Sequence, residues 1–283
     1  MINSKTRLIG IIGYPLGHTL SPIMQNKALQ EMGLNYIYVP LEVKPVDIKK
    51  AIEAIRIYDL MGVNVTIPYK EIVMEHLDEL SAEAIACEAV NLIKNEDGRL
   101  IGYNTDGKGF VAGLEEADVD VSGQILLLGA GGAARAVGHA LATEGVQEMT
   151  FLDIDRLKAE NLADFIRRKT GVSCYGLEMN RETFALAGKN ADIIVNCTPS
   201  GMYPEINNSP IDDISMIKKP AVLCDLIYNP LQTKLLAMGR AHGLKIINGV
   251  PMLVHQGALT LEILTNLKPP IDIMREVVLH QVR

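Results

Sequence analysis

Two residues able to exchange a proton stand in short polar segments. Lys70 follows Asn64-Val-Thr-Ile-Pro-Tyr69, and Asp106 lies within Gly102-Tyr-Asn-Thr-Asp-Gly107. Brought together, a lysine and an aspartate can move a proton to or from an alcohol while its hydride passes to a nicotinamide. Each has a plainer reading when taken singly. A lysine after a proline is commonly solvated, and an aspartate before a glycine commonly serves a turn or a helix cap. Spacing alone does not make the two meet. Hydroxyl and amide residues gather in the same segments: Thr19, Ser21, Asn64, Thr66, Asn91, Asn104 and Thr105. A site of such neutral donors and acceptors suits a small polyhydroxylated ligand. Ser21, just ahead of Pro22, equally reads as a helix N-cap, and Asn64 and Asn91 as strand-end turns.

A second kind of chemistry is written in Ile125-Leu-Leu-Leu-Gly-Ala-Gly-Gly-Ala-Ala-Arg135. Four apolar residues suit a strand covered on both faces, and Gly129-x-Gly131-x-x-Ala134 fits the dinucleotide fingerprint. Gly129 permits the tight turn, Gly131 keeps the backbone open to a pyrophosphate, and Ala134 lets helix and strand approach. The first helical turn then offers free N–H groups and a positive dipole end. Asp153 ends a further apolar run, Met149-Thr-Phe-Leu-Asp153, about 20 residues on, where a carboxylate can grip ribose hydroxyls.

The elements that must position these residues follow from the apolar pattern. Leu8–Gly13 reads as a buried strand, and Pro22 opens a helix that Gly33 ends. Tyr36–Val43 reads as a strand with Ile37, Val39, Leu41 and Val43 on its inner side. A helix from Pro45 carries Ile48, Ile52 and Ile55 and is closed by Gly62. Val63–Ile67 is a strand, and Asn95-Glu-Asp-Gly98 turns a hairpin between Val90–Lys94 and Arg99–Tyr103. Six later strands are expected at 125–128, 149–153, 172–175, 192–197, 221–225 and 244–247, with helices between most of them. That pattern predicts an α/β chain with a doubly wound parallel sheet. The expected division is a substrate-binding catalytic domain over 1–106, a Rossmann-type dinucleotide domain over 107–249, and C-terminal helices over 250–283 returning to the first domain. Two crossings would then frame a cleft.

Composition narrows the function class. The net charge is −7 with no basic run, which argues against nucleic acid and anionic membranes as partners. Cys87, Cys174, Cys197 and Cys224 form no CxxC pair and no zinc spacing, so no metal is expected and a reducing, cytoplasmic setting is. The apolar stretch after Arg7 is too short for a signal segment, and no run approaches a membrane span. His18, His76, His139, His242 and His280 are assigned no proton-transfer duty.

Several segments, in order and spacing, carry a resemblance. Tyr14-Pro-Leu-Gly-His-Thr-Leu-Ser-Pro22, Asn64-Val-Thr-Ile-Pro-Tyr-Lys-Glu71, Ala89-Val-Asn91, Gly102-Tyr-Asn-Thr-Asp-Gly107 and Gly129-Ala-Gly-Gly-Ala133 come first. Asn196-Cys-Thr-Pro-Ser-Gly-Met202, Asp225-Leu-Ile-Tyr228 and Met252-Leu-Val-His-Gln-Gly257 follow. Over nearly its full length the chain resembles the shikimate and quinate/shikimate dehydrogenases. The resemblance implies Lys70 and Asp106 as the catalytic pair. It implies Thr19 and Ser21 as carboxylate-binding hydroxyls, with Thr19 standing where the family has serine. Asn91, Thr66, Tyr228 and Gln256 are implied as further substrate ligands. On the cofactor side it implies Gly129, Ala130, Gly131, Gly132, Ala133, Thr198, Gly249 and Met252, with Pro251 standing where the family usually has glycine.

The cofactor preference is read from charge. NADP-using members commonly carry Asn-Arg-Thr after the second strand of the dinucleotide domain, whereas this chain has Leu152-Asp-Ile-Asp-Arg156. Asp153 would accept from ribose hydroxyls and repel a 2′-phosphate, so NAD is favoured. Arg156 nearby leaves NADP open. The activity implied is oxidoreduction between shikimate and 3-dehydroshikimate, with quinate and 3-dehydroquinate as a second couple. The substrate would be a small hydroxylated cyclic carboxylate. Two alternatives stand beside it: a dehydrogenase of a related substrate such as an amino-substituted shikimate, and a non-catalytic nucleotide-binding regulator.

Overall fold

The computed structural model describes residues 2–17 and 19–282; His18 lies outside them. The chain divides into two compact units. One runs to Gly109 and takes in Val254–Gln281, and the other comprises Phe110–Leu253 with Val282. The divisions fall inside two helices, Asp106–Glu116 and Val250–Thr265.

In chain order the first unit contains β1 (Arg7–Gly13), α1 (Ser21–Glu31), β2 (Tyr36–Glu42), α2 (Ile48–Ile57), β3 (Gly62–Val65), β4 (Glu79–Leu80), α3 (Ala82–Cys87), β5 (Leu92–Glu96), β6 (Arg99–Tyr103) and the start of α4 (Asp106–Glu116). Its mixed sheet has the order β2-β1-β3-β5-β6-β4. β1 runs parallel to β2 and β3, whereas β5 is antiparallel to β3 and β6. The β5–β6 hairpin turns at Asp97-Gly98, both at positive φ (52° and 89°), as a tight two-residue turn requires. α2 buries Ile48, Ile52 and Ile55 along one stripe, worth about 1.5–3 kcal/mol each.

Three local assignments differ from the pattern-based expectation. Ser21 is the first residue of α1 rather than its cap. Leu20 holds the cap position with no side-chain bond, so Pro22 falls one place deeper and the Ser21 hydroxyl is left for tertiary contacts. On β2 the buried side chain is Tyr38, while Ile37, Val39 and Leu41 are half-buried, because an edge strand against a helix is covered unevenly on both faces. Asn26 of α1 holds that strand's outer edge, accepting from Tyr38 N–H at 2.8 Å and donating to Tyr38 C=O at 2.7 Å.

Gly62 opens β3 instead of closing α2, whose chain reversal falls to Asp59 at φ 49°. A β-carbon on Gly62 would lie 2.7 Å from the Ile93 carbonyl and 2.5 Å from Leu264. A carbonyl fixed in a ladder cannot yield, so Gly62→Ala is expected to cost about 1–3 kcal/mol of unfolding free energy. Urea denaturation checks this, and an unchanged midpoint would mean the sheet gives way there.

The second unit continues with β7 (Gln124–Leu128), α5 (Gly132–Thr143), β8 (Glu148–Asp153), α6 (Arg156–Thr170), β9 (Ser173–Glu178), α7 (Arg181–Gly188), β10 (Ile193–Asn196), β11 (Val222–Asp225), α8 (Lys234–His242) and β12 (Lys245–Ile247). Its six strands are all parallel in the order β12-β11-β10-β7-β8-β9. This is a doubly wound Rossmann sheet with its switch point between β7 and β10. Apolar cores lie on both faces, Leu127 and Phe151 on one and Leu128 and Leu223 on the other, which is why these strands read as unbroken apolar runs. α9 (Val250–Thr265) leaves this unit and enters the first, where α10 (Ile271–Gln281) packs on α1. Among the described residues no helix is long and apolar enough to cross a membrane.

Candidate active site

Lys70 stands just past β3 and is held on both sides. Tyr69 is fully buried and its hydroxyl donates to the Val43 carbonyl, while Val90 N–H donates to the Lys70 carbonyl at 2.7 Å. Asp106 is the first residue of α4, where the helix dipole favours a negative charge. Asn104 Oδ1 accepts from Asp106 N–H at 3.1 Å, so the capping duty that sequence offered Asp106 falls to Asn104. The carboxylate is free to face Lys70, and Lys70 Nζ lies 2.5 Å from Asp106 Oδ2. Their side chains are 22% and 8% exposed, a protected ion pair with the ammonium on the more open side.

Asn91 completes this corner. It is buried, with Nδ2 donating to Asp106 Oδ1 at 2.8 Å and to Thr105 Oγ1 at 2.9 Å, and Oδ1 accepting from Thr105 N–H at 2.8 Å. Thr105 Oγ1 donates onward to the Gln256 carbonyl at 3.1 Å. Gln256 lies close because Gly109 has no side chain: a β-carbon there would sit 2.6 Å from Gln256 N. Lys70, Asn91, Asp106 and Gln256 therefore come together within the first unit. Thr66 borders the same β3 end, its N–H donating to Ile12 C=O at 2.9 Å. Thr19 Oγ1 accepts from Ser21 N–H at 3.3 Å, which leaves the Thr19 hydroxyl proton available to a ligand.

Sequence reasoning missed Tyr38. Its hydroxyl donates to Asn64 Oδ1 at 2.8 Å; burial pushes its pKa up, and the nearby Ser21 hydroxyl opposes that. Asn64 Nδ2 then donates to Asn91 C=O at 3.0 Å and Thr260 Oγ1 at 3.1 Å. A buried polar line thus joins Tyr38 to the Lys70–Asp106 corner. Its signal was an aromatic hydroxyl in an apolar strand, which needs a partner when buried. Cys87, nearby, is inert: burial pushes its thiol up to about 11.

The glycine turn belongs to the second unit. Gly129 has φ +96°, which favours glycine. Gly131 caps α5, and a β-carbon there would meet nothing within 4 Å, so its bareness serves approach from outside and not packing. Gly132 and Ala133 form the first turn of α5, and Ala134 is fully buried behind it. Asp153 ends β8 beside the turn, its Oδ2 accepting from Ala130 N–H at 2.7 Å and its Oδ1 from Asp155 N–H at 3.0 Å. A cavity of 720 Å³ opens here, lined by Gly129, Ala130, Gly131, Asp153 and Thr198 among others. Bare glycine backbone, a helix N-terminus and an adjacent carboxylate fit a dinucleotide's pyrophosphate and ribose.

The other residues expected at the cofactor have protein contacts as well. Arg156 begins α6 and pairs with Glu160 at 2.7 Å with its side chain 66% exposed; that bond holds its pKa up. Gly249 is a packing glycine: a β-carbon would lie 2.1 Å from Leu226 C=O, and its N–H donates to Ile227 C=O at 2.9 Å. Met252 packs half-buried against the core of this unit, and Tyr228 is half-buried just past β11. Among the described residues, no group of three or more His, Cys, Asp or Glu could hold a metal ion.

Residues 11–93 match the family model of the shikimate dehydrogenase substrate binding domain, and residues 249–279 that of the shikimate 5′-dehydrogenase C-terminal domain. A shikimate dehydrogenase (NADP(+)) of Syntrophomonas wolfei subsp. wolfei is 50% identical, over 99% of this chain and 97% of its own. The shikimate 5-dehydrogenase of Listeria monocytogenes, solved in complex with shikimate and NAD, superposes with a TM-score of 0.92 at 33% identity over 98% of each chain. That of Thermus thermophilus, solved with NADP(H) and shikimate, gives 0.88 at 32% identity over 98% of this chain and 100% of its own. With half of its residues identical over a full-length match, and with the same fold, the chain belongs to the shikimate dehydrogenase family.

Proposed function

We propose that the protein is an NAD(P)-dependent oxidoreductase that interconverts shikimate and 3-dehydroshikimate, with NAD preferred and quinate as a second substrate. The observation that carries the reading is the 2.5 Å contact of Lys70 Nζ with Asp106 Oδ2 inside a corner of neutral hydroxyls and amides. The substrate carboxylate bonds to the hydroxyls of Thr19 and Ser21. Ring hydroxyls bond to Asn91, Asp106, Thr66 and Gln256, and Tyr228 is a further ligand. The first unit, with its returning helices, is the substrate domain and the second the dinucleotide domain. A nicotinamide dinucleotide held at Gly129, Gly131 and Asp153 would supply the hydride acceptor for oxidation and the hydride donor for reduction. In reduction the Lys70 ammonium, held in place by Asp106, gives a proton to the developing alkoxide and becomes the neutral amine; in oxidation Lys70 in its amine form takes the alcohol proton and becomes the ammonium.

The NAD preference rests on the charge of Asp153. Asp153 presents a carboxylate beside the glycine turn, positioned by Ala130 N–H. It accepts from the 2′- and 3′-hydroxyls of a ribose and repels a 2′-phosphate. The pairing of Arg156 with Glu160 weakens the case for a phosphate clamp. The Syntrophomonas relative is named for NADP(+) and the Listeria structure holds NAD, so both cofactors belong in the test.

The deciding experiment is an absorbance assay at about 340 nm for the reduced nicotinamide, run as a matrix of shikimate and quinate against NAD and NADP. Turnover of shikimate with a higher kcat/KM for NAD is expected. No turnover of either substrate with either cofactor would overturn the reading, and a higher kcat/KM for NADP would overturn the preference alone.

A further inference from the structure

Asn196, Asp225 and Thr233 are 0%, 1% and 1% exposed and form a polar line inside the second unit. Thr233 Oγ1 donates to Asp225 Oδ2 at 2.7 Å. Asn196 Nδ2 and Ile227 N–H donate to Asp225 Oδ1 at 3.0 and 3.1 Å. On its other side Asn196 Oδ1 accepts from the N–H and the hydroxyl of Thr198, at 3.0 and 2.7 Å. Thr198 Oγ1 accepts in turn from Ser200 N–H at 3.3 Å. These three donors to Asp225 are neutral groups, and a carboxylate buried among neutral donors is unfavourable. Burial pushes this one up to about 6.

What the carboxylate supplies is direction. An asparagine side chain has a donor end and an acceptor end of nearly equal shape. Thr198 offers two donors to it, so only one orientation of Asn196 satisfies them. An ionised carboxylate only accepts, and it therefore turns the Asn196 amide nitrogen toward itself and the oxygen toward Thr198. Thr198 in turn stands against the glycine turn: a β-carbon on Gly129 would lie 3.0 Å from the Thr198 methyl. Thr198 and Ser200 both line the 720 Å³ cavity. Asp225 also holds Ile227 N–H, and Gly249 rests on the Leu226–Ile227 backbone. One carboxylate thus ties the end of β10, which borders the switch point, to the end of its neighbour β11.

We propose that Asp225 is a positioning residue for the dinucleotide: through Asn196 it fixes Thr198 and the turn to Ser200, and so sets the wall of the cavity beside the glycine turn. This rests on the reading of that cavity as the dinucleotide site. Asp225→Ala releases Asn196 and lets the wall move. Asp225→Asn keeps an acceptor for Asn196 and Ile227 and can turn its amide nitrogen to Thr233 Oγ1, so it retains most of the effect.

The test measures Kd for NADH and NADPH from the fluorescence of the reduced nicotinamide, and KM for shikimate, in wild type and in folded variants checked by circular dichroism. Asp225→Ala is expected to weaken dinucleotide binding about tenfold or more, one lost buried hydrogen-bond set, while the KM for shikimate is far less affected. Asp225→Asn is expected to restore most of the affinity. Should Asp225→Ala not fold, Asn196→Ala interrupts the same line and carries the same expectation. Unchanged dinucleotide Kd in a folded variant overturns the inference, as does an equal loss for shikimate, which would mark a general structural role. Failure of the wild type to bind either dinucleotide would instead overturn the cofactor reading.

Discussion

Replacing Lys70 with alanine is expected to lower kcat about 10²- to 10⁴-fold, the usual range for a positioned acid–base group, with a much smaller change in the KM for shikimate. The ammonium is 2.5 Å from Asp106, and its side chain is the more exposed of the two, so it is the more accessible end of the pair. Its removal leaves the Asp106 carboxylate with Asn91 as its side-chain donor. The alcohol proton then has no Lys70 amine to take it in oxidation and no ammonium to return it in reduction, a deficit felt in the transition state more than in the bound ground state. Steady-state kinetics with shikimate and each cofactor measure it, with circular dichroism to confirm folding. An unchanged kcat would remove Lys70 from the chemistry. A raised KM at constant kcat would make it a binding residue only.

Asp153→Ala is expected to reduce kcat/KM for NAD about 10- to 100-fold and to move the NAD-to-NADP ratio toward NADP by a similar factor. The reasoning is one of charge-assisted hydrogen bonds, worth about 1.5–3 kcal/mol each, or one to two decades in affinity. The carboxylate stands at the end of β8 with Ala130 N–H on one oxygen and Asp155 N–H on the other, each oxygen keeping a lone pair for a ribose hydroxyl. Asp153→Asn separates the two effects, because it keeps an acceptor and removes the repulsion of a 2′-phosphate. A ratio that stays flat in both variants would dismiss Asp153 as the basis of preference. Arg156→Ala, by contrast, breaks an exposed pair with Glu160 and is expected to leave the ratio near wild type.

What sequence makes legible here is local. The central strands β7, β10 and β11 of the second unit are readable because they are buried on both faces, and the Asp97-Gly98 hairpin because its turn admits few residue types. The glycine turn and Asp153 are close enough in the chain to be read as one device. The rest depends on contacts distant in sequence. Tyr38 reaches Asn64 only because β2 and β3 flank β1 in one sheet, and no alternation rule for a single strand reveals which face a helix will cover. Gly62 and Gly249 resemble turn glycines in sequence, yet what forbids a side chain is Ile93 and Leu264 in one case and Leu226 in the other. Asn196, Asp225 and Thr233 are three polar residues at the ends or edges of apolar segments, and their line appears only when β10 and β11 lie side by side.

The Asn26 contact on β2 bears on how copies of this protein avoid one another. A sheet's outer strand displays unpaired N–H and C=O groups that a strand from another molecule can adopt. Here the outward groups of Tyr38 are already satisfied by the Asn26 amide, which mimics a neighbouring peptide. Two residues on, the position that points the same way is Pro40, which has no N–H to offer. From Tyr38 to Pro40 the outer edge of β2 is thereby blunted against strand addition by a side chain and an imino acid. In a crowded solution that stretch of edge does not serve as a template for growth.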